Sequence, residues 1–285
     1  MQDVVKLEDV SVHYEGDDAP VVEHISFTVK RGELVVLFGE VGTGKSSLMR
    51  AISGLNPAAH GDITLYSSTD SSSGDTDKTD TPSLVATSRT GAGLAAIDGE
   101  ANLHQRGRFG FVFQTPRLLP WRRVLHNVEL GLQRSGMTSD ERRSYAHYLL
   151  ELVGLSDLAD QFPHRLSPNQ FERLGIARAL ASDPEVLLMD EPFSAVEPAD
   201  RRELLERVLA IKERTGITMI FATHRADDAI CIADRVFLLG GHPTHILEEH
   251  TINLKTPRKV HSAGCLDIAA KLTDRLAELS RTEGR

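Results

Sequence analysis

Cysteine is scarce in this chain: Cys231 and Cys265 are the only two in 285 residues, too few for a disulfide framework, so a reducing cytosol is the simpler setting. Long apolar runs are missing as well. No stretch approaches the roughly 20 residues that a membrane-spanning helix needs. The opening MQDVVKLEDV lacks the charged-then-apolar plan of a signal peptide. Basic charge is short: 32 Lys and Arg against 41 Asp and Glu leave a net charge of -9, which argues against a general nucleic-acid binder. The expectation is a soluble protein whose action at any membrane runs through a partner. One segment lacks apolar periodicity altogether. Residues 67–93 are rich in Ser, Thr, Asp and Gly and cannot bury enough to offset their ordering entropy. They read as a disordered insertion, with order resuming at Ala96-Ile97-Asp98-Gly99; a tolerated insertion is favoured over a phosphorylated regulatory loop.

What is present is a strand, a glycine loop and a helix in immediate succession. Leu34 to Phe38 (LVVLF) reads as a buried strand, and Ser47 to Leu55 as a helix start. Between them Gly39, Gly42, Gly44, Lys45 and Ser46 spell G-x-x-x-x-G-K-S. Such glycines let successive backbone N–H groups converge on an anionic oxygen cluster, and the helix N-terminus adds positive potential. Lys45 is then placed to reach the outer phosphates of a nucleoside triphosphate, and Ser46 to offer its hydroxyl to Mg²⁺. A second element supports the first. Val186 to Met189 is a buried strand that delivers Asp190 and Glu191 at its C-terminal end, where ligands bind in open α/β sheets. Asp190 suits a magnesium contact, and Glu191 suits polarising an attacking water.

Two further side chains are expected at the same sheet edge. His224 comes after the strand ITMIFA, within reach of a γ-phosphate, and Gln114 ends FGFVFQ, where a neutral amide can touch both Mg²⁺ and the water. Elsewhere, Val4 to Tyr14 and Val21 to Val29 alternate as strands of an antiparallel layer, joined by a turn at Glu15-Gly16-Asp17-Asp18. Asp62 to Tyr66, Ile217 to Phe221 and Arg235 to Leu239 complete the strands. Residues 124–180 read as helical, with a capping box at Thr138 and Glu141, and Arg201 to Glu213 as an amphipathic helix stopped near Gly216. Alternating strands and helices imply an α/β fold: a P-loop NTPase core with a mostly parallel sheet, an antiparallel β layer and an inserted helical subdomain. In the tail, Leu266, Ile268, Leu272, Leu276 and Leu279 lie at helical spacing. His242 and His245, with no further ligands at matching spacing, read as loop residues rather than a metal pair.

From about Val4 to Leu247 the chain resembles the ATP-binding subunit of an ABC transporter. The elements that carry the resemblance are Tyr14, the glycine loop, Gln114, Leu166-Ser167-Pro168-Asn169-Gln170, the Asp190-Glu191 pair, Ser194-Ala195-Val196-Glu197 and His224, in that order. FVFQTPRLLPWRRVLHNVELGL and THRADDAICIADRVFLL most resemble the subfamily that serves importers of nitrate, sulfonates and taurine. The resemblance implies ATP and Mg²⁺ as cofactors. It implies nucleotide contacts from Tyr14, Gly39, Glu40, Val41, Gly42, Thr43, Gly44, Lys45, Ser46 and Ser47, with Ser167 and Gln170 acting on a partner's nucleotide. It places Ser46, Gln114 and Asp190 around the metal, and Glu191, His224 and Gln114 at the chemistry. Domain limits would be 1–247 for the ATP-binding domain, with 123–184 as the helical subdomain, and 248–285 for a C-terminal extension with an amphipathic helix. Implied partners are a second ATP-binding subunit, identical or different, a transmembrane permease and, indirectly, an extracytoplasmic substrate-binding protein. The implied location is peripheral, at the cytoplasmic face of the cell membrane.

Three departures stand against that pattern. The family's signature, usually L-S-G-G-Q, reads Leu166-Ser167-Pro168-Asn169-Gln170 here. Ser167 still caps a helix that Pro168 can open, but Pro168 has no N–H to give, and Asn169 is expected to bring bulk into the gap between subunits. The S-A-L-D loop reads Ser194-Ala195-Val196-Glu197, and Arg225 comes after His224 where an acid is common. All three fall on the face between subunits, so the chain is expected to bind ATP normally while offering its partner a weak signature surface. Two alternatives remain open at this point: a regulatory or non-transport ABC protein, and an unrelated phosphate-loop kinase.

Overall fold

The computed structural model describes residues 2–14, 19–55, 60–66, 108–132, 136–254, 258 and 263–283. The insertion expected at 67–93, the segment at 96–99 and the turn at 15–18 lie outside the described residues. Three strands, β1 (Asp3–Val12), β2 (Val22–Lys30) and β4 (His60–Leu65), form an antiparallel sheet in the order β2-β1-β4. Six more form the central sheet: β3 (Leu34–Gly39), β5 (Phe109–Val112), β6 (Val186–Asp190), β7 (Thr218–Thr223), β8 (Arg235–Gly240) and β9 (His245–Thr251). Their order is β5-β6-β7-β3-β8-β9; every pairing is parallel except the antiparallel pairing of β8 with β9. The last strand was not expected, and it crosses the boundary placed at 247.

The inner strands β3, β6 and β7 are buried along their whole length because both of their faces are covered. Successive side chains of a strand point to opposite faces, and the two cores divide them accordingly. Leu34, Val36, Phe38, Leu187, Met189, Met219 and Phe221 join the core built with most of the helices. Val35, Leu37, Val186, Leu188, Ile220 and Ala222 join the core shared with the antiparallel sheet. Register then fixes what emerges at the C-terminal edge. Phe38 pairs with Thr223 and Asp190 with Ala222, so β6, β7 and β3 end side by side.

Seven α-helices lie among the described residues: α1 (Lys45–Ile52), α2 (Val124–Glu129), α3 (Ser139–Leu152), α4 (Pro168–Leu180), α5 (Pro198–Thr215), α6 (Ala226–Ile232) and α7 (Ala263–Glu283). The expected capping box opens α3: the Thr138 N–H donates to Glu141 Oε2 at 2.8 Å, and the Glu141 N–H to Thr138 Oγ1 at 3.3 Å. Helix α5 ends at Gly216, which takes φ 67. Helix α7 buries Cys265, Ala269, Leu272 and Leu276 against the larger core. Arg258 ties the tail to α6, donating to the carbonyl oxygens of Ile230 at 3.0 Å and of Ala233.

One carboxyl in α4 is out of place for stability. Glu172 is 7% exposed, its Oε2 has no hydrogen-bond partner, and burial pushes its pKa from 4.5 up to about 8. The folded chain therefore holds a proton that the unfolded chain releases near 4.5, so stability declines as pH rises from 4.5 to about 8 and levels off above. Glu172→Gln removes that decline. By thermal unfolding, the variant should match the parent near pH 4.5 and exceed it by several degrees at pH 8, a gain on the order of a few kcal/mol. A constant difference across pH would refute this reading.

Candidate nucleotide site

The turn between β3 and α1 is shaped by its glycines. Gly44 takes φ +70, and a Cβ there would sit 2.7 Å from Val22 Cγ2. A Cβ on Gly39 would meet Leu239 O at 2.6 Å. A side chain at either position would force the loop open. Inside it, Thr43 Oγ1 donates to Glu40 O at 2.8 Å. Lys45 is buried, and its Nζ lies 2.9 Å from Gly39 O, 2.6 Å from Glu40 O and 3.4 Å from Glu191 Oε1. Burial pulls the Lys45 pKa down, and the Glu191 charge is the largest influence opposing it. Val41 stands out in solvent at the loop tip, and Glu40 beside it is also exposed.

The adjacent strands supply the acids. Asp190, at the end of β6, is 3% exposed and accepts a hydrogen bond from Ser46 Oγ at 2.8 Å. Burial raises its pKa, and the Ser46 bond is the largest effect pulling it back. Glu191 takes φ +44, an uncommon conformation for a residue with a side chain, and its N–H donates to Ala222 O at 3.0 Å. Its Oε2 lies 3.0 Å from Nδ1 of His224, just past the end of β7. Such backbone strain costs about 1–3 kcal/mol and persists where the surroundings over-determine it, most often at active sites. Here three groups hold Glu191: Lys45 from α1 and His224 after β7 at its carboxylate, and the Ala222 carbonyl of β7 at its backbone N–H.

The remaining expected residues fall into two groups. Tyr14 is 38% exposed, and its hydroxyl lies 2.7 Å from Ser47 Oγ, which tethers the ring to the first turn of α1. Gln114 is exposed at the same sheet edge, but its amide nitrogen donates to Ser194 Oγ at 3.3 Å rather than to Ser46 or Asp190. Ser167 and Gln170 satisfy each other at the start of α4: the Gln170 N–H donates to Ser167 Oγ at 3.3 Å, and the Ser167 N–H to Gln170 Oε1 at 2.9 Å. The expectation for Asn169 needs correcting. Its side chain is 6% exposed and turned onto α5, where Nδ2 donates to Asp200 O at 3.4 Å and Glu203 Oε2 at 3.3 Å. The amide finds acceptors on its own subunit, so it adds no bulk to the outer face.

Comparison with known proteins identifies the family. The family model described as ABC transporter matches residues 22–194. The chain belongs to the ABC transporter family. An uncharacterised ABC transporter ATP-binding protein of Methanocaldococcus jannaschii is 31% identical over 276 residues, covering 96% of this chain and 91% of that protein. A taurine import ATP-binding protein of Rhizobium johnstonii is 33% identical, covering 86% of this chain and 82% of its own length. An aliphatic sulfonates import ATP-binding protein of Pseudomonas syringae pv. syringae is 34% identical, covering 88% of each. Among solved structures, a dimeric ATP-binding cassette in a post-hydrolysis state bound to ADP and Pi superposes with a TM-score of 0.68 at 26% identity, covering 88% of this chain and all of that one. The ABC subunit is thus an ATPase of the cassette type, with the α/β fold that the motifs imply.

The ABC subunit's donor set suits magnesium. Ser46 and Asp190 offer hard oxygen donors beside a helix N-terminus, and buried Asp190 gains most from a nearby cation. Among the described residues no group of three or more His, Cys, Asp or Glu side chains could hold a metal ion. An ion at Ser46 and Asp190 would therefore complete its shell from phosphate oxygens and water. One residue escaped the sequence reading. Arg201 is 7% exposed and donates to Phe193 O at 3.2 Å and Val196 O at 2.5 Å. Its signal was available: a cation in the first turn of a helix opposes the helix dipole, so something else must hold it there.

Proposed function

We propose that this ABC subunit hydrolyses ATP to energise an importer of small anions of the nitrate, sulfonate or taurine type. It would act as a peripheral protein at the cytoplasmic face of the cell membrane, with no role for nucleic acid. It would pair with a second ATP-binding subunit and a transmembrane permease, and serve an extracytoplasmic substrate-binding protein indirectly. One observation carries the reading: Lys45, Ser46, Asp190, Glu191 and His224 meet at the C-terminal edge of β3, β6 and β7. The import substrate class rests on the relatives named for taurine and aliphatic sulfonates.

Each of these side chains has a chemical part to play. Lys45 and the loop N–H groups bind and orient the outer phosphates, with Tyr14 placed to stack on the base and Glu40, Val41, Thr43 and Ser47 lining the approach. Ser46 and Asp190, with Gln114 nearby, would hold Mg²⁺, which when bound neutralises charge on the phosphate oxygens. Glu191 takes the proton of the attacking water, and His224 fixes the Glu191 carboxylate from the far side. Ser167 and Gln170 would face the partner's nucleotide. Phosphoryl transfer needs positioning more than covalent chemistry, so preset geometry of this kind is the main requirement.

Titration calorimetry with ATP and Mg²⁺ tests the core of this reading. Lys45→Ala should weaken binding about 10- to 100-fold, the scale of one hydrogen bond from a charged donor. Equal affinity in variant and parent would dismiss the site. Copurification with a multispan membrane protein tests the transport role. A hydrolysis-impaired member of a heterodimer is the second reading, favoured by Pro168 at the first turn of α4, which has no N–H to offer a partner's phosphate.

A further inference from the structure

The segment after Glu191 is a double turn. The Ser194 N–H donates to Glu191 O at 3.2 Å, and the Val196 N–H to Phe193 O at 3.2 Å, before Pro198 opens α5. Nothing within those two turns explains why Glu191 keeps φ +44. Arg201 reaches back over them from α5, and its guanidinium accounts for both Phe193 O and Val196 O. The charge of Arg201 is felt at Asp228 of α6. Asp228 is 6% exposed; burial raises its pKa, and the charges of Arg201 and then Arg225 oppose that rise. Arg225 Nε itself lies 3.8 Å from Asp228 Oδ1. Asp228 also shares a small cavity with Glu191, Phe193, Ser194 and His224. Arg201 therefore holds the loop leaving Glu191, and Asp228 borders that loop from the helix that starts just after His224.

We infer that Arg201, with the Asp228 charge nearby, is a positioning residue that holds the 193–196 turn and thereby keeps Glu191 in its strained conformation facing Lys45 and His224. Neither side chain touches the nucleotide in this assignment. The inference rests on Glu191 being the base for hydrolysis, so its test has an arm that needs no turnover. The same turn carries Ser194, which Gln114 contacts. A loosened turn would disturb Glu191 and Gln114 together.

Hydrogen exchange on the full chain with bound ATP reads the clamp directly. In Arg201→Met the amides of Ser194 and Val196 should exchange at least about tenfold faster, since a charged donor to each turn is lost, while β6 amides keep parental rates. In the assembled complex kcat should fall about 10- to 100-fold with KM for ATP within threefold, and Arg201→Lys should recover part of the loss. Asp228→Asn is the milder second variant, with the same direction in both readouts and a smaller size. Unchanged exchange at Ser194 and Val196 in both variants overturns the clamp. Faster exchange with unchanged kcat overturns its link to Glu191. A parent that binds ATP but hydrolyses none fails the functional reading instead, and the exchange arm still decides the clamp.

Discussion

Glu191→Gln should abolish most turnover while leaving nucleotide binding intact. Glutamine has the same shape and can still accept from His224, but it cannot take a proton from water. General-base catalysis typically contributes about 10²–10⁴-fold, so kcat should drop by that order. Affinity should hold or rise slightly. Lys45 Nζ stands 3.4 Å from Glu191 Oε1, and removing that charge frees the ammonium for phosphate. The same loss ought to lower the Lys45 pKa further, because Glu191 is the largest influence holding it up against burial. Single-turnover hydrolysis beside equilibrium ATP binding separates the two effects. A variant that turns over within tenfold of the parent would remove Glu191 from the role of base. His224→Ala should act in the same direction more weakly, since it withdraws one of the two side chains that contact the carboxylate.

Much of this site could be read from the chain because its determinants are local. Buried parallel strands are continuous apolar runs, so LVVLF and VLLM announce themselves, and the residues at the C-terminal end of each land on one sheet edge. The glycines of the loop and the two capping boxes are short-range chemistry as well. Less was legible where tertiary contacts decide. Strand β9 (HILEEHT) has no fully buried residue and little alternation; it is a strand only because β8 offers it an edge. Helix α6 is seven residues long, too short for a period to show. The inward turn of Asn169 depends on acceptors in α5, more than thirty residues away. Arg201 and Asp228 influence each other from separate helices, and no spacing rule connects them.

That turn of Asn169 divides the two substitutions in the signature. Its side chain faces its own subunit, so restoring glycine there should gain nothing outward and would cost contacts to Asp200 and Glu203, with a smaller added cost for glycine's backbone freedom. Pro168 is different. It fits the first helical position well, but its missing N–H lies where a helix N-terminus would meet the partner's phosphate. A lost donor at such a site costs about 2.7–4 kcal/mol of barrier, so Pro168→Gly in the assembled complex should raise turnover about 10²-fold. Asn169→Gly alone should lower the melting temperature and leave kcat near the parent's. If both variants turn over at the parental rate, the donor set is complete without residue 168, and the weak-signature reading fails. If Asn169→Gly is the one that accelerates, its side chain rather than the missing N–H of Pro168 was the obstacle, and the assignment of the two residues is reversed.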